Sequence, residues 1–107
     1  MYIIMQAWFP ANIASQVVQR HMEVMQKYPP DASQEDAYGK TIAQAFKNTK
    51  EGVHAIAVVE CKEGTLEASL AFQTKLQLEF ADLYTFAVDV YMNNAEAYAS
   101  MGMQRPE

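Results

Sequence analysis

Four short stretches of the chain alternate with a period of two, and in each the second face is neither fully apolar nor fully polar. In the first, Tyr2, Ile4, Gln6 and Trp8 share one face and Ile3, Met5, Ala7 and Phe9 share the other. A strand in a sheet covered by helices on one side needs only one greasy face. An opposite face that carries Trp, Tyr and Ile therefore expects a cover of its own. In so small a chain a second copy is the expected cover, which predicts a homodimer, or a higher even oligomer, with a lined cavity between two sheets.

The elements follow from the same patterning. Residues 2–9 read as a strand of aromatic and β-branched types. Pro10 and Asn12 open a helix whose apolar positions are Ile13, Val17, His21, Val24 and Tyr28, with Val18 and Met25 beside them. Pro29-Pro30 ends it, because proline restricts its predecessor and donates no backbone bond. Residues 31–39 are polar and turn-forming, a surface loop. Residues 40–49 fit two patterns: Ile42, Ala45 and Phe46 suit a helix, whereas Ile42, Gln44, Phe46 and Asn48 suit a strand. The short loop Lys50-Glu51-Gly52 and the clear strand at 53–62 favour a hairpin, hence a strand.

A second helix runs from Gly64-Thr65 to about Leu83, with Leu66, Leu70, Phe72, Leu76, Phe80 and Leu83 on one broad face and Leu78 off it. A last strand covers 84–92. Asn93 or Asn94 then caps a short helix, with Glu96 at the spacing of a capping box and Gly102 as its stop. The tail over 102–107 is expected to be loose. The order β-α-β-β-α-β plus a short helix is the ferredoxin-like, α+β arrangement in a single domain over 1–107. Its two crossovers put both main helices on one face of an antiparallel sheet.

The opening Met1-Tyr2-Ile3-Ile4, Lys27-Tyr28-Pro29-Pro30-Asp31, Glu51-Gly52, the run from Phe80 to Phe86 leading into Tyr91, and Ala95-Glu96-Ala97 together resemble the dimeric α/β-barrel superfamily. The chain is most similar to its small uncharacterised prokaryotic members. The resemblance implies two ferredoxin-like subunits packed sheet against sheet. It is a pattern over nearly the whole chain and not a catalytic signature. The superfamily spans quinone-forming monooxygenases, haem-degrading and chlorite-decomposing enzymes and members without known activity, so it implies a fold more than a chemistry.

Charge removes some functions. Eight Lys and Arg against thirteen Asp and Glu leave a net charge of −5, with no basic cluster to track a phosphate backbone, so no nucleic-acid partner is expected. Cys61 is the single cysteine, which excludes an internal disulfide and a thiolate metal cluster. No apolar run approaches the roughly twenty residues of a membrane helix, and the N-terminus reads as a strand and not a leader. The expectation is a cytoplasmic protein with no membrane partner.

The candidate chemistry sits on the second sheet face. Strand parity assigns it Tyr2, Ile4, Gln6 and Trp8; Ile42, Gln44, Phe46 and Asn48; His54, Ile56, Val58 and Glu60; and Thr85, Ala87, Asp89 and Tyr91. Of these, Gln6, Trp8, Phe46, His54, Glu60, Asp89 and Tyr91 are the candidate ligand-binding residues, because a mostly apolar cleft with a few polar groups is what a small-molecule site looks like. A packed dimer interface shares that composition. His54 titrates near neutrality when unperturbed and suits a general base, or equally a solvated strand end. Glu60 and Asp89 suit acid–base work, or rim ion pairs with Lys47 or Lys62. His21 reads as a boundary residue of its helix, and Cys61 as a small buried hydrophobe. The seven methionines read as gap-fillers. No phosphate loop, zinc motif or Ser-His-Asp set occurs, and no cofactor or metal is expected.

The leading functional expectation is thus a homodimer binding a small apolar or aromatic molecule between its sheets. The alternative is a cofactor-independent monooxygenase or isomerase acting on an aromatic or quinol-like compound. Trp8 and Tyr91 would hold the ring while His54, Asp89 or Glu60 moves a proton. A haem-linked enzyme, with His54 as the axial ligand, ranks last.

Overall fold

The computed structural model describes residues 1–29 and 39–103. Most of the loop expected at 31–39, and the tail from 104, lie outside the described residues. Four strands form one antiparallel sheet: β1 (Tyr2–Phe9), β2 (Lys40–Thr49), β3 (Gly52–Glu60) and β4 (Thr85–Tyr91), in the order β2-β3-β1-β4. A 3-10 turn (Ala11–Ile13) leads into α1 (Ala14–Lys27); α2 (Leu66–Leu78) and α3 (Asn94–Ser100) complete the chain. The element order and the central β3-β1 pair make this a ferredoxin-like α+β domain. The strand expected over 40–49 is present.

The core lies on the face of odd-numbered β1 residues. Ile3, Met5, Ala7 and Phe9 are all buried. Ile3 and Met5 pack with Val59 and Cys61, and Leu66, Leu70 and Val88 close over them from α2 and β4. Cys61 is a buried free thiol here, as expected from its apolar neighbours.

A second cluster joins the helices to each other. Val24 of α1 meets Leu76 of α2 and Phe80, flanked by Tyr28, Phe72, Leu83 and Tyr84. Ion pairs tie the same elements: Arg20 Nη1 to Asp82 Oδ1 at 2.7 Å, and Lys27 Nζ to Glu79 Oε1 at 2.8 Å. α2 ends five residues earlier than its apolar stripe suggests, because residues 79–84 turn tightly, with Leu83 and Tyr84 N–H groups both donating to the Phe80 carbonyl. Phe80 and Leu83 still reach the core from that turn.

Two local features were written in the sequence. Asn93 caps α3 in a full capping box: its side chain accepts from Glu96 N–H, and Glu96 Oε1 accepts from Asn93 N–H at 3.0 Å. Gly52 closes the β2–β3 hairpin at φ 135, where an added Cβ would run into the carbonyl oxygen of Phe9. Only glycine meets both demands at that point.

One parity expectation is corrected. Ile42, Gln44, Phe46 and Asn48 were expected on the face of Trp8. The two-residue turn Lys50-Glu51 instead pairs Thr49 with Gly52 and Lys47 with His54, so Lys47, Ala45 and Ala43 share the His54 face. Phe46 pairs with Ala55 and Gln44 with Ala57, on the helix-bearing face. A β-bulge between Thr41 and Ala43 leaves Ile42 without a partner and shifts the parity, so that Lys40 lies beside Glu60.

Candidate functional site

The face opposite α1 and α2 is a lattice of four rungs, each running across the sheet from β2 to β4. Their order is Lys47-His54-Trp8-Thr85, Ala45-Ile56-Gln6-Ala87, Ala43-Val58-Ile4-Asp89 and Lys40-Glu60-Tyr2-Tyr91. The two middle rungs are apolar apart from Gln6 and Asp89, and the other polar groups stand on the two end rungs. α1 and α2 pack on the opposite face, and on this one Trp8 is left 42 % exposed and Tyr91 51 %.

The first rung holds the most organised group. The His54 and Trp8 rings stack, with centroids 5.0 Å apart and planes 3° from parallel. His54 Nε2–H donates to Gln6 Oε1 at 2.9 Å. Since β3 lies on one side of β1 and β4 on the other, the ring face of Trp8 turned away from His54 looks over Thr85, a short exposed side chain. The result is an aromatic shelf, held upright by a histidine that is itself held by a glutamine.

Gln6, Trp8, His54, Glu60, Asp89 and Tyr91 all stand on this face. They do not form one cluster. Glu60 is six positions along β3 from His54, about 20 Å, and Asp89 is four positions along β4 from Thr85, about 13 Å. Within one protomer neither carboxylate reaches the imidazole. Lys47, which the parity reading placed on the other face, stands next to His54 instead. The signal that could have found it is the hairpin's loop length, since a two-residue turn fixes which residues face each other.

Phe46 goes elsewhere. It lines a cleft of about 730 Å³ on the helix-bearing face, between α1 and the hairpin, with Val17, His21 and Val53 among its neighbours. Phe46 is 74 % exposed there. The cleft's polar groups include an internal chain: the Tyr84 hydroxyl donates to Gln77 Oε1 at 2.9 Å, and Gln77 Nε2 reaches Met5 Sδ. Burial pushes the Tyr84 phenol well above its ordinary range. His21 is exposed at the margin of this cleft. Among the described residues no group of three His, Cys, Asp or Glu side chains is placed to hold a metal ion, and no helix is long and apolar enough to cross a membrane.

No protein-family model matches the chain, and no curated protein matches it. Among solved structures it is similar to a formyltetrahydrofolate deformylase from Pseudomonas putida KT2440, with a TM-score of 0.51 and 12% identity. That match covers 85% of this chain, which spans only 29% of the deformylase's length. A protein from Agrobacterium tumefaciens matches with a TM-score of 0.43 at 8% identity, over 88% of this chain and 96% of that one. A NIPSNAP-like domain protein from Burkholderia xenovorans matches at 0.38 and 10% identity, over 87% of each chain. At such identities the first likeness concerns the fold alone. It agrees with the strand order in making the chain a ferredoxin-like α+β domain.

Proposed function

We propose that this protein is a homodimer that pairs its uncovered sheet faces and binds a small apolar or aromatic molecule between them. The observation that carries the reading is the Trp8–His54 stack, braced by Gln6, on the sheet face opposite α1 and α2. A stacked, hydrogen-bonded aromatic pair is preorganised, and a preorganised shelf loses little freedom when a ring settles on it.

The monooxygenase or isomerase reading draws less support, because its proton-moving groups do not converge within a protomer. An axial haem role for His54 is disfavoured by the engagement of its Nε2 with Gln6.

Two measurements test the proposal. Light scattering at micromolar concentration should give twice 12.1 kDa. Native mass spectrometry after incubation with a metabolite mixture should retain a small molecule on that dimer. A monomer refutes the pairing, and a dimer that retains nothing refutes the binding.

A further inference from the structure

The charges on the uncovered face are unevenly placed. Lys40 and Lys47 stand on edge strand β2, with Glu60 beside Lys40 on β3, and Asp89 stands on the opposite edge, β4. Two aligned sheets can pair about a two-fold axis that runs across the strands or along them. An axis across the strands lays β2 over the partner's β2 and reverses the rung order, so that Lys47 faces Lys40 of the partner subunit with one acid, Glu60, beside it, and the two Asp89 carboxylates come within one rung of each other. An axis along the strands lays β2 over the partner's β4, separates the lysines, and keeps each rung over the same rung of the other copy. Like charges facing across an interface are disfavoured, so the second arrangement is preferred.

This orientation, which rests on the sheet-to-sheet pairing proposed above, has a consequence at the Trp8 shelf. The free ring face of Trp8 overlooks Thr85 on β4, and the strand laid over β4 brings Lys47 of the partner subunit above it. The protomer's own Lys47 lies three strands from Thr85, about 14 Å, too far to serve the same place. The acids of this face, Glu60 and Asp89, are remote from the rung; beyond it, the hairpin turn carries one charge of each sign, Lys50 and Glu51.

We propose that each shelf is a composite site for a planar aromatic anion. The ring stacks on the free face of Trp8, the Thr85 hydroxyl donates to it at the edge, and its negative group is met by Lys47 of the partner subunit. Two such sites occur per dimer, and neither is complete in a monomer. The acidic net charge of the chain makes this cationic rung a local exception, and locality is what gives it selectivity.

Naphthalene-2-carboxylate is the probe, read by quenching of the single tryptophan and by calorimetry. The wild-type dimer should bind it, and should bind naphthalene-2-carboxamide more weakly by at least about fivefold, the worth of one charge-assisted contact. Lys47→Gln should lose the same factor, and Thr85→Phe should fill the shelf and abolish binding; both positions are exposed, and both variants should keep the dimeric mass. Saturable sites are then counted, at carboxylate concentrations that fill wild-type sites but leave the Lys47→Gln variant largely empty. Neither variant alone shows high-affinity sites. Co-expressed in equal amounts, they form mixed dimers in which one site of two has an intact shelf facing an intact lysine. That restores about a quarter of the wild-type high-affinity capacity. Dimers without that restoration overturn the composite site and leave the pairing intact. Equal binding of the amide, or no binding by the wild-type dimer, also overturns the proposal. A wild-type monomer overturns the pairing itself.

Discussion

Replacing Ile56 with lysine separates the uncovered face from the core more cleanly than any other single change. Ile56 stands between Gln6 and Ala45 in the apolar middle of that face, with no carboxylate on its rung to pair with a new charge. In an isolated protomer the lysine head reaches water, and the cost is at most about 1 kcal/mol of strand preference. In a dimer paired through this face, each protomer brings one lysine into the interface without a partner. Desolvating an unpaired charge costs several kcal/mol. Even about 2 kcal/mol per protomer, doubled by symmetry, weakens association by about a thousandfold. A dimer with a micromolar dissociation constant then becomes a monomer at tens of micromolar. Sedimentation velocity and far-ultraviolet circular dichroism on the same samples decide it. The expected result is native secondary structure with the mass halved. A variant that keeps the wild-type dimer mass refutes the reasoning, because the face would not be the interface.

Three further outcomes check the fold. Gly52→Ala should lower stability by about 1–3 kcal/mol in urea melts, because the new methyl group meets the Phe9 carbonyl at a positive φ. Asn93→Ala should cost about 1 kcal/mol and speed amide exchange at the start of α3, where the capping box is lost. Acid should loosen the α1–α2 contact: hydrogen bonds from Lys27 and Tyr28 hold the Glu79 carboxyl below its ordinary range, and Arg20 does the same for Asp82. Carboxyls depressed in the folded state contribute stability that is present above their unfolded pKa, near 4, and lost as pH falls through the folded value. Thermal melts should therefore fall below about pH 4, and Arg20→Ala should flatten part of that fall.

Period, turn chemistry and caps were local properties, and the sequence carried them. The alternation over 2–9 defined both faces of β1 because pleating sends successive side chains to opposite sides whatever the neighbours are. Gly52 and the Asn93–Glu96 box announced a hairpin and a helix start, since each acts within four residues. The apolar stripe over 66–83 likewise named Leu66, Leu70, Leu76 and Phe80 as core. The tertiary structure decided what depends on register and on meeting at a distance. The parity of β2 was set by a two-residue turn and a bulge, and these sent Phe46 away from Trp8 and brought Lys47 beside His54. Tight turns after Leu78, and not the end of the apolar stripe, set the end of α2. The site residues followed the same division. That Trp8, Gln6 and His54 share a face was legible from parity on two strands. That they touch, while Glu60 and Asp89 stand far off, required knowing which rung of β3 lies against which rung of β1. Alternation fixes a side chain's face, and only the pairing of strands fixes its neighbours.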